Sequence, residues 1–356
     1  MQILARYIAV AYFRNLLLSA SGLVVLLFFQ SLITQVNDYS LAQRVIMTLY
    51  DVPGLWIMVA PPAVLMATIL TLSALSKTNE LVACYSIGIG IRQVMSVLFP
   101  IVFVFSCFSL VLQDRILPAV NEKKSVFYWR EIKKRQDFFL DVKQEKIWYR
   151  SNRYIYHLQK FDPQQGRILG VGIYEFDDAF NIKEEMHADE AVFKNGTWEL
   201  RSGRKTVFNP KTGFPESEPF VTRELVIKET PKDFKMIEKE VDRLRIKDLL
   251  RFIRSNRESG IDSRGLEVKL HSRFSLSFIS IVMFLLAIPF SVSRGREGRM
   301  GRDLTIAFAI TFFYWLSNSV SMSLGQNGAL PPVAAAWSPT VIFGFFALYL
   351  LRGMKA

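Results

Sequence analysis

Apolar residues along this chain fall into long unbroken runs and short alternations. Six stretches carry no charged residue: Leu16 to Ile33, Leu55 to Leu75, Val94 to Leu112, Phe274 to Val292, Leu304 to Leu324 and Val333 to Leu351. About 18 or more such residues, coiled as a helix, cross the hydrocarbon core of a bilayer. Three runs precede residue 113, three follow residue 273, and the 161 residues between contain none. The pattern predicts two triplets of membrane helices, in residues 1–120 and 263–356, with a separate domain inserted over residues 121–262.

Inside the insert the pattern shortens to KIWYR, RYIYHLQKF, RILGVGIYEF, EAVFKNGTWELRSG and VTRELVIKE. Alternation broken by turn signals at Asp162-Pro163, Asn195-Gly196, Asn209-Pro210 and Lys211-Thr212-Gly213 predicts antiparallel strands. The Asn-Gly of KNGTWEL suits the left-handed angles of a two-residue hairpin loop. A set of this size, roughly 110 residues, points to an all-β sandwich or jelly roll. Asn121 to Gln136 reads as a helix that carries the third run outward. After the strands, RIKDLLRFIRSNRESG puts Ile246, Leu249, Leu250 and Ile253 at helical spacing opposite basic residues. Such an amphipathic helix has two readings, one on the outer membrane surface and one packed on the β domain.

Composition agrees with a membrane protein: 51% of residues are hydrophobic, 29 are Phe, and mean hydropathy is +0.22. Short-loop Lys and Arg mark the cytoplasmic side. The side that holds both termini carries Arg6, Arg14, Lys77, Arg92, Arg294, Arg296, Arg299, Arg302, Arg352 and Lys355, whereas the opposite short loops offer only Arg44. The expectation is cytoplasmic termini and a periplasmic insert. The net charge of +12 then reflects membrane topology rather than nucleic-acid binding, since the basic residues sit at membrane borders or are scattered through the insert. Leu16 to Ile33 lacks a small-residue cleavage site followed by a soluble chain, so it reads as a retained helix. Neither Cys84 nor Cys107 is placed to form a disulfide in the insert.

No catalytic pattern emerges. GxxxxGK[ST], HExxH and GxSxG are missing, and His157, His187 and His271 are isolated from one another in sequence. The chain is expected to be no enzyme and to bind no cofactor of its own. Spans without buried acids or bases do not suit proton-coupled transport either. Energy for any transport would have to enter from another chain.

The stretch SKTNELVACYSIGIG, between the second and third runs, bears on that entry. Asn79 is predicted to cap a short helix from about Glu80 to Ile87, with Glu80 at its positive end and Gly88 in the left-handed position that ends it. Leu81, Cys84 and Tyr85 share one face. Two readings stand: an apolar ridge offered to a partner, or a helix tucked under its own bundle.

An N-terminal RYI, the segment P-x-A-V-L-M, NELVACYSIGIG, the insert after the third span, SGIDSRGLEVKLHSRFS leading into the fourth, and GALPPVAAAWSPT before the last together resemble the LptF/LptG permease family over essentially the whole chain. The Asn37-Asp38 pair and the GALPP with AAW ending are more similar to the LptG branch. The resemblance implies an α-helical membrane protein with six transmembrane helices (3+3), an inserted periplasmic β-jellyroll domain, and a place in the bacterial inner membrane. Implied partners are an LptF-like paralogue, two copies of an LptB-like ATPase that carries the ATP and Mg, an LptC-like bitopic protein, and a periplasmic bridge of jelly rolls. The implied substrate is lipopolysaccharide. Glu80 takes the position of the acid on the family's coupling helix, with Leu81, Cys84, Tyr85 and Gly88 around it. RGREGRMGR reads as a positive-inside anchor or a second ATPase contact. Where some LptG proteins place a lysine at the outer end of span one, this chain has Ile33-Thr34-Gln35. The substrate residues considered are therefore Phe28 and Phe29 for acyl tails, with Thr34, Arg44, Lys123, Lys124 and Arg130 near an anionic head group. Two alternatives stay open: the LptF paralogue of the same complex, or a non-transporting membrane adaptor with an extracytoplasmic β-sandwich.

Overall fold

The computed structural model describes residues 2–34, 40–132, 140–143, 146–151, 154–162, 166–177, 181–194, 197–208, 214–225, 244–258, 262–292 and 300–353. Two compact units emerge, Met1–Val120 with Arg264–Ala356, and Asn121–Ser263. The Asn37-Asp38 pair and Arg294, Arg296 and Arg299 lie outside the described residues.

The first unit is helical: α1 (Gln2–Thr34), α2 (Leu41–Lys77), α3 (Glu80–Ser86) and α4 (Ile91–Val111) precede the insert. All six apolar runs fall within long helices. Ser40 starts α2 with a reciprocal cap, its hydroxyl accepting from the Gln43 backbone while the Gln43 side chain accepts from the Ser40 N–H. After α4 the chain relaxes into a π turn, Leu112–Ile116, and continues as α5 (Leu117–Phe127) and a second π turn, Tyr128–Ile132. The helix expected from Asn121 is thus seen to Ile132, and its last four residues lie outside the described ones.

Beyond the strands come α6 (Ile246–Glu258), α7 (Arg264–Val292), α8 (Met300–Gln326) and α9 (Pro332–Arg352). Burial ranks the spans: 67% of the apolar window of α2 and 61% of that of α7 are buried, against 17% in α1 and 28% in both α4 and α9. Helices α2 and α7 therefore form the axis of the unit, and the others pack around them. One core joins Tyr12, Leu16, Leu72, Leu98 and Phe284 from α1, α2, α4 and α7. Another joins Leu65, Met283, Tyr314 and Ala347 from α2, α7, α8 and α9.

Some of the polar groups inside the unit pair across helices. Asn15 donates to Thr71 at 2.9 Å, and Gln113 donates to the Ser277 hydroxyl at 2.9 Å and to the Arg273 carbonyl at 3.3 Å. The Ser275 and Thr340 hydroxyls meet at 2.7 Å. At Gly325 a β-carbon would stand 2.3 Å from that of Ala335, so glycine is what lets α8 and α9 approach.

Five helices among the described residues, α1, α2, the helix beginning with α4, α7 and α9, are long and apolar enough to span a membrane. The sixth expected run lies in α8. Helix α8 has 27 residues, but Ser317, Asn318, Ser319, Ser321 and Ser323 lower its hydropathy.

The second unit contains the predicted β domain as one antiparallel sheet: β1 (Leu140–Lys143), β2 (Lys146–Ser151), β3 (Tyr154–Asp162), β4 (Arg167–Phe176), β5 (Ile182–Lys194), β6 (Thr197–Phe208) and β7 (Pro215–Leu225). The Asn195-Gly196 turn lies outside the described residues, but its flanks Lys194 and Thr197 are paired. Each strand lies beside its sequence neighbours, β1 to β7 in order. This meander is the strand order that the sequence left open, and the short links between consecutive strands keep each strand beside the last.

One face is the core, with Tyr156, Leu158, Val171, Ile173, Met186, Trp198 and Leu200 buried. A row crossing five strands, Gln159, Gly170, Asp189, Ser202 and Val221, is skipped in every ladder from β3 to β7. Gly170 and Ser202 on that row have positive φ, 64° and 51°. An interruption shared by consecutive strands bends a sheet along its line.

In α6, Leu249, Ile253 and Asn256 are buried while Leu250 is exposed. Both Leu249 and Ile253 of its apolar face are thus covered by protein.

Candidate functional site

Local chemistry shapes the turn between α2 and α4. Helix α2 ends at Lys77, and Asn79, two residues on, takes the left-handed conformation, φ 60°. Asparagine tolerates that conformation after a helix end. The same conformation corrects the expected cap: an N-cap needs extended backbone to aim its side chain at the first turn, and the Asn79 side chain makes no capping bond.

Helix α3 then runs from Glu80 to Ser86 and closes in a Schellman motif. The Ile89 N–H donates to the Cys84 carbonyl at 2.9 Å, and the Gly88 N–H to Tyr85 at 3.0 Å. Gly88 has φ 81°, as its predicted role requires.

The faces of α3 differ from the expected ridge. Leu81 and Cys84 are 4% and 6% exposed, and Leu81 belongs to the core that joins α1, α2, α4 and α7. They anchor the helix to its own bundle. Tyr85 stands half out, with burial pushing its phenol above the ordinary range. Val82 and Ile87, which the sequence reading missed, are 59% and 70% exposed. The outward apolar surface is therefore Val82, Tyr85 and Ile87. The available signal was the spacing of Val82 and Tyr85, three apart on a short amphipathic turn. Glu80 is half-buried at the helix start, and the Tyr7 hydroxyl donates to it over a long 3.4 Å contact.

Around this turn the helix ends bring exposed Arg6, Lys77, Arg92 and Arg352 to the same end of the unit. Leu4, Ile89, Ile91 and Leu351 pack on the same core there. The arrangement offers an acid, a small apolar knob and a cationic surround on a rigidly held helix.

The residues considered for substrate are more dispersed. Phe28 and Phe29 form an edge-to-face pair, with centroids 5.9 Å apart and Phe29 exposed. The Thr34 hydroxyl donates to the carbonyls of Gln30 and Ser31, both at 3.1 Å, and so serves its own helix. Arg44 is half-buried in the first turn of α2. Lys123 and Lys124 on α5, and Arg130 on the second π turn, belong to the other unit.

No curated protein matches the chain. A family model described as the lipopolysaccharide export system permease LptF/LptG matches residues 6–353, which takes in both triplets of helices and the insert between them. The order of helices, β insert and helices, together with that match over nearly its whole length, makes the chain a member of the LptF/LptG family of lipopolysaccharide export permeases.

Proposed function

We propose that the chain is one of two permease subunits of an ATP-driven exporter that extracts lipopolysaccharide from the inner membrane and passes it to a periplasmic bridge. The observation that carries this reading is the family match, whose description is a lipopolysaccharide export permease. The predominance of basic residues at the end holding both termini supports cytoplasmic termini and a periplasmic sheet. In this orientation α8 serves as the sixth span, with Asn318 and Ser321 buried and Ser321 bonded to α9.

Helix α3 is the coupling element of this proposal. It faces the cytoplasm, and its outward Val82, Tyr85 and Ile87 enter a groove of a separate LptB-like ATPase, with Glu80 making a charge-assisted contact at the rim. Leu81 and Cys84 transmit the motion, because they tie α3 to the core shared by α1, α2, α4 and α7. The paralogous subunit, LptF-like if this chain is the LptG-like one, completes a cavity for acyl tails beside Phe28 and Phe29. The LptC-like chain and the bridge receive the lipid. Arg44 of the helical unit, and separately Lys123, Lys124 and Arg130 of the second unit, are the basic groups considered for its phosphates.

Purification of the tagged chain in mild detergent tests the reading. The paralogue, an ATPase and lipopolysaccharide should copurify. Recovery of the chain with phospholipid alone, and with no ATPase, would favour the adaptor alternative.

A further inference from the structure

A concave surface crosses the sheet, lined by polar residues and by Val171 and Ala188 of its core. A cavity of about 960 Å³ lies over β3 to β7, at the upper end of pockets that enclose one compact ligand. It follows the interrupted row, so it crosses the strands instead of running along them, over about 19 Å at ordinary strand spacing. Its floor is Gly170 and Gly172, two same-face positions of β4. Interior strand glycines of this kind admit close approach to the backbone. The Gln159 amide lies over Gly170, and the His187 ring stands 3.1 Å from where a Gly172 β-carbon would be.

We propose that this groove binds a saccharide bearing an acidic substituent, and that within the export reading, on which this inference rests, it holds the sugar portion of the exported glycolipid outside the apolar core. His157, Gly172, His187 and Arg204 stand in direct register across β3 to β6. Arg204 and Asp189 are exposed, and neither side chain takes part in any hydrogen bond or ion pair among the described residues. The groove therefore presents an uncommitted cation, an uncommitted acceptor and a side-chain amide that can do both. Sugar hydroxyls, which donate and accept at once, match that set, and an acidic substituent matches Arg204. The Tyr174 ring, set edge-on to His187 at 5.7 Å, supplies a flat apolar wall for the C–H face of a sugar.

Other occupants fit less well. An acyl chain would strip water from Arg204 and Asp189 without pairing them. An extended peptide would add at a sheet edge, along the strands and not across them. Bare phosphate has no use for Asp189 or the tyrosine wall.

The test uses the full chain with its paralogue in nanodiscs, and deacylated lipopolysaccharide as the calorimetric probe, since it keeps sugars and phosphates but has no acyl tails. The wild type should bind it, and Arg204→Ala and Asp189→Ala should each weaken binding by about tenfold or more, the loss expected of one polar contact to a charged group. Both positions are exposed, so the sheet should stay folded. Intact lipopolysaccharide retained by a chain that does not bind the probe would sink the groove and leave the export reading standing, whereas retention of neither would remove both. Wild-type affinity in the two variants would place the sugar elsewhere. Displacement of the probe by equimolar inorganic phosphate would make the groove an anion site and overturn the saccharide assignment.

Discussion

Leu81 and Val82 are neighbours with opposite duties, because successive residues of a helix point about 100° apart. Truncating Leu81 leaves a cavity in the core that joins four helices, and Leu81→Ala should cost about 2–5 kcal/mol, visible as a lower thermal midpoint of the purified chain. Val82→Asp alters an exposed position, where substitutions usually stay within about 0.5 kcal/mol. Its thermal midpoint should match the wild type while ATPase capture falls. The reverse result, a stable Leu81→Ala and an unfolded Val82→Asp, would mean the helix is turned the other way. Glu80→Lys should also leave membrane insertion and pairing with the paralogue intact, since its Tyr7 contact is long at 3.4 Å. Losing one charge-assisted contact, about 1.5–3 kcal/mol, should weaken ATPase binding about ten- to a hundredfold in a titration. Full ATPase binding by Glu80→Lys would move the coupling role to another cytoplasmic segment.

Among the elements, α3 depends on how it ends. Gly88 holds φ 81°, and its N–H and that of Ile89 close the last turn. A β-branched side chain in that conformation costs about 1–2 kcal/mol, so Gly88→Val should speed amide exchange at Ile89 without unfolding the bundle. Unchanged protection at Ile89 would show that the glycine is dispensable. Long elements were readable because length and apolarity alone determine a span, and all six runs lie inside helices. The face of α3 was not readable, because a seven-residue helix has apolar residues on both sides and only tertiary packing tells Leu81 from Val82. Asn79 misled for a related reason: its type suits an N-cap, but the end of α2 claims its conformation first. The sheet's interruption left a partial trace in Gly170 and Gly172 and none in Ser202, whose positive φ is set by its neighbours. Of the groups considered for substrate, only the Phe28–Phe29 pair could be foreseen as touching, because the two are adjacent in sequence.

On the scale of the molecule, the chain holds a helical unit built on α2 and α7 and a separate β unit, and in the proposed function the first couples to the ATPase and the second hands the lipid on. A periplasm-active reporter inserted after Lys194, in the turn between β5 and β6, should be active, and activity of a cytoplasm-only reporter there would reverse the topology. The central claim is that ATP consumed by another chain drives lipopolysaccharide out of the membrane through this one. It is tested most directly with proteoliposomes that hold this chain, its paralogue, the ATPase and labelled lipopolysaccharide, by following label delivered to a soluble periplasmic acceptor. The account predicts release that requires ATP, favours lipopolysaccharide over phospholipid and is lost in Glu80→Lys. Release that proceeds equally without ATP, or equally well for phospholipid, would contradict it.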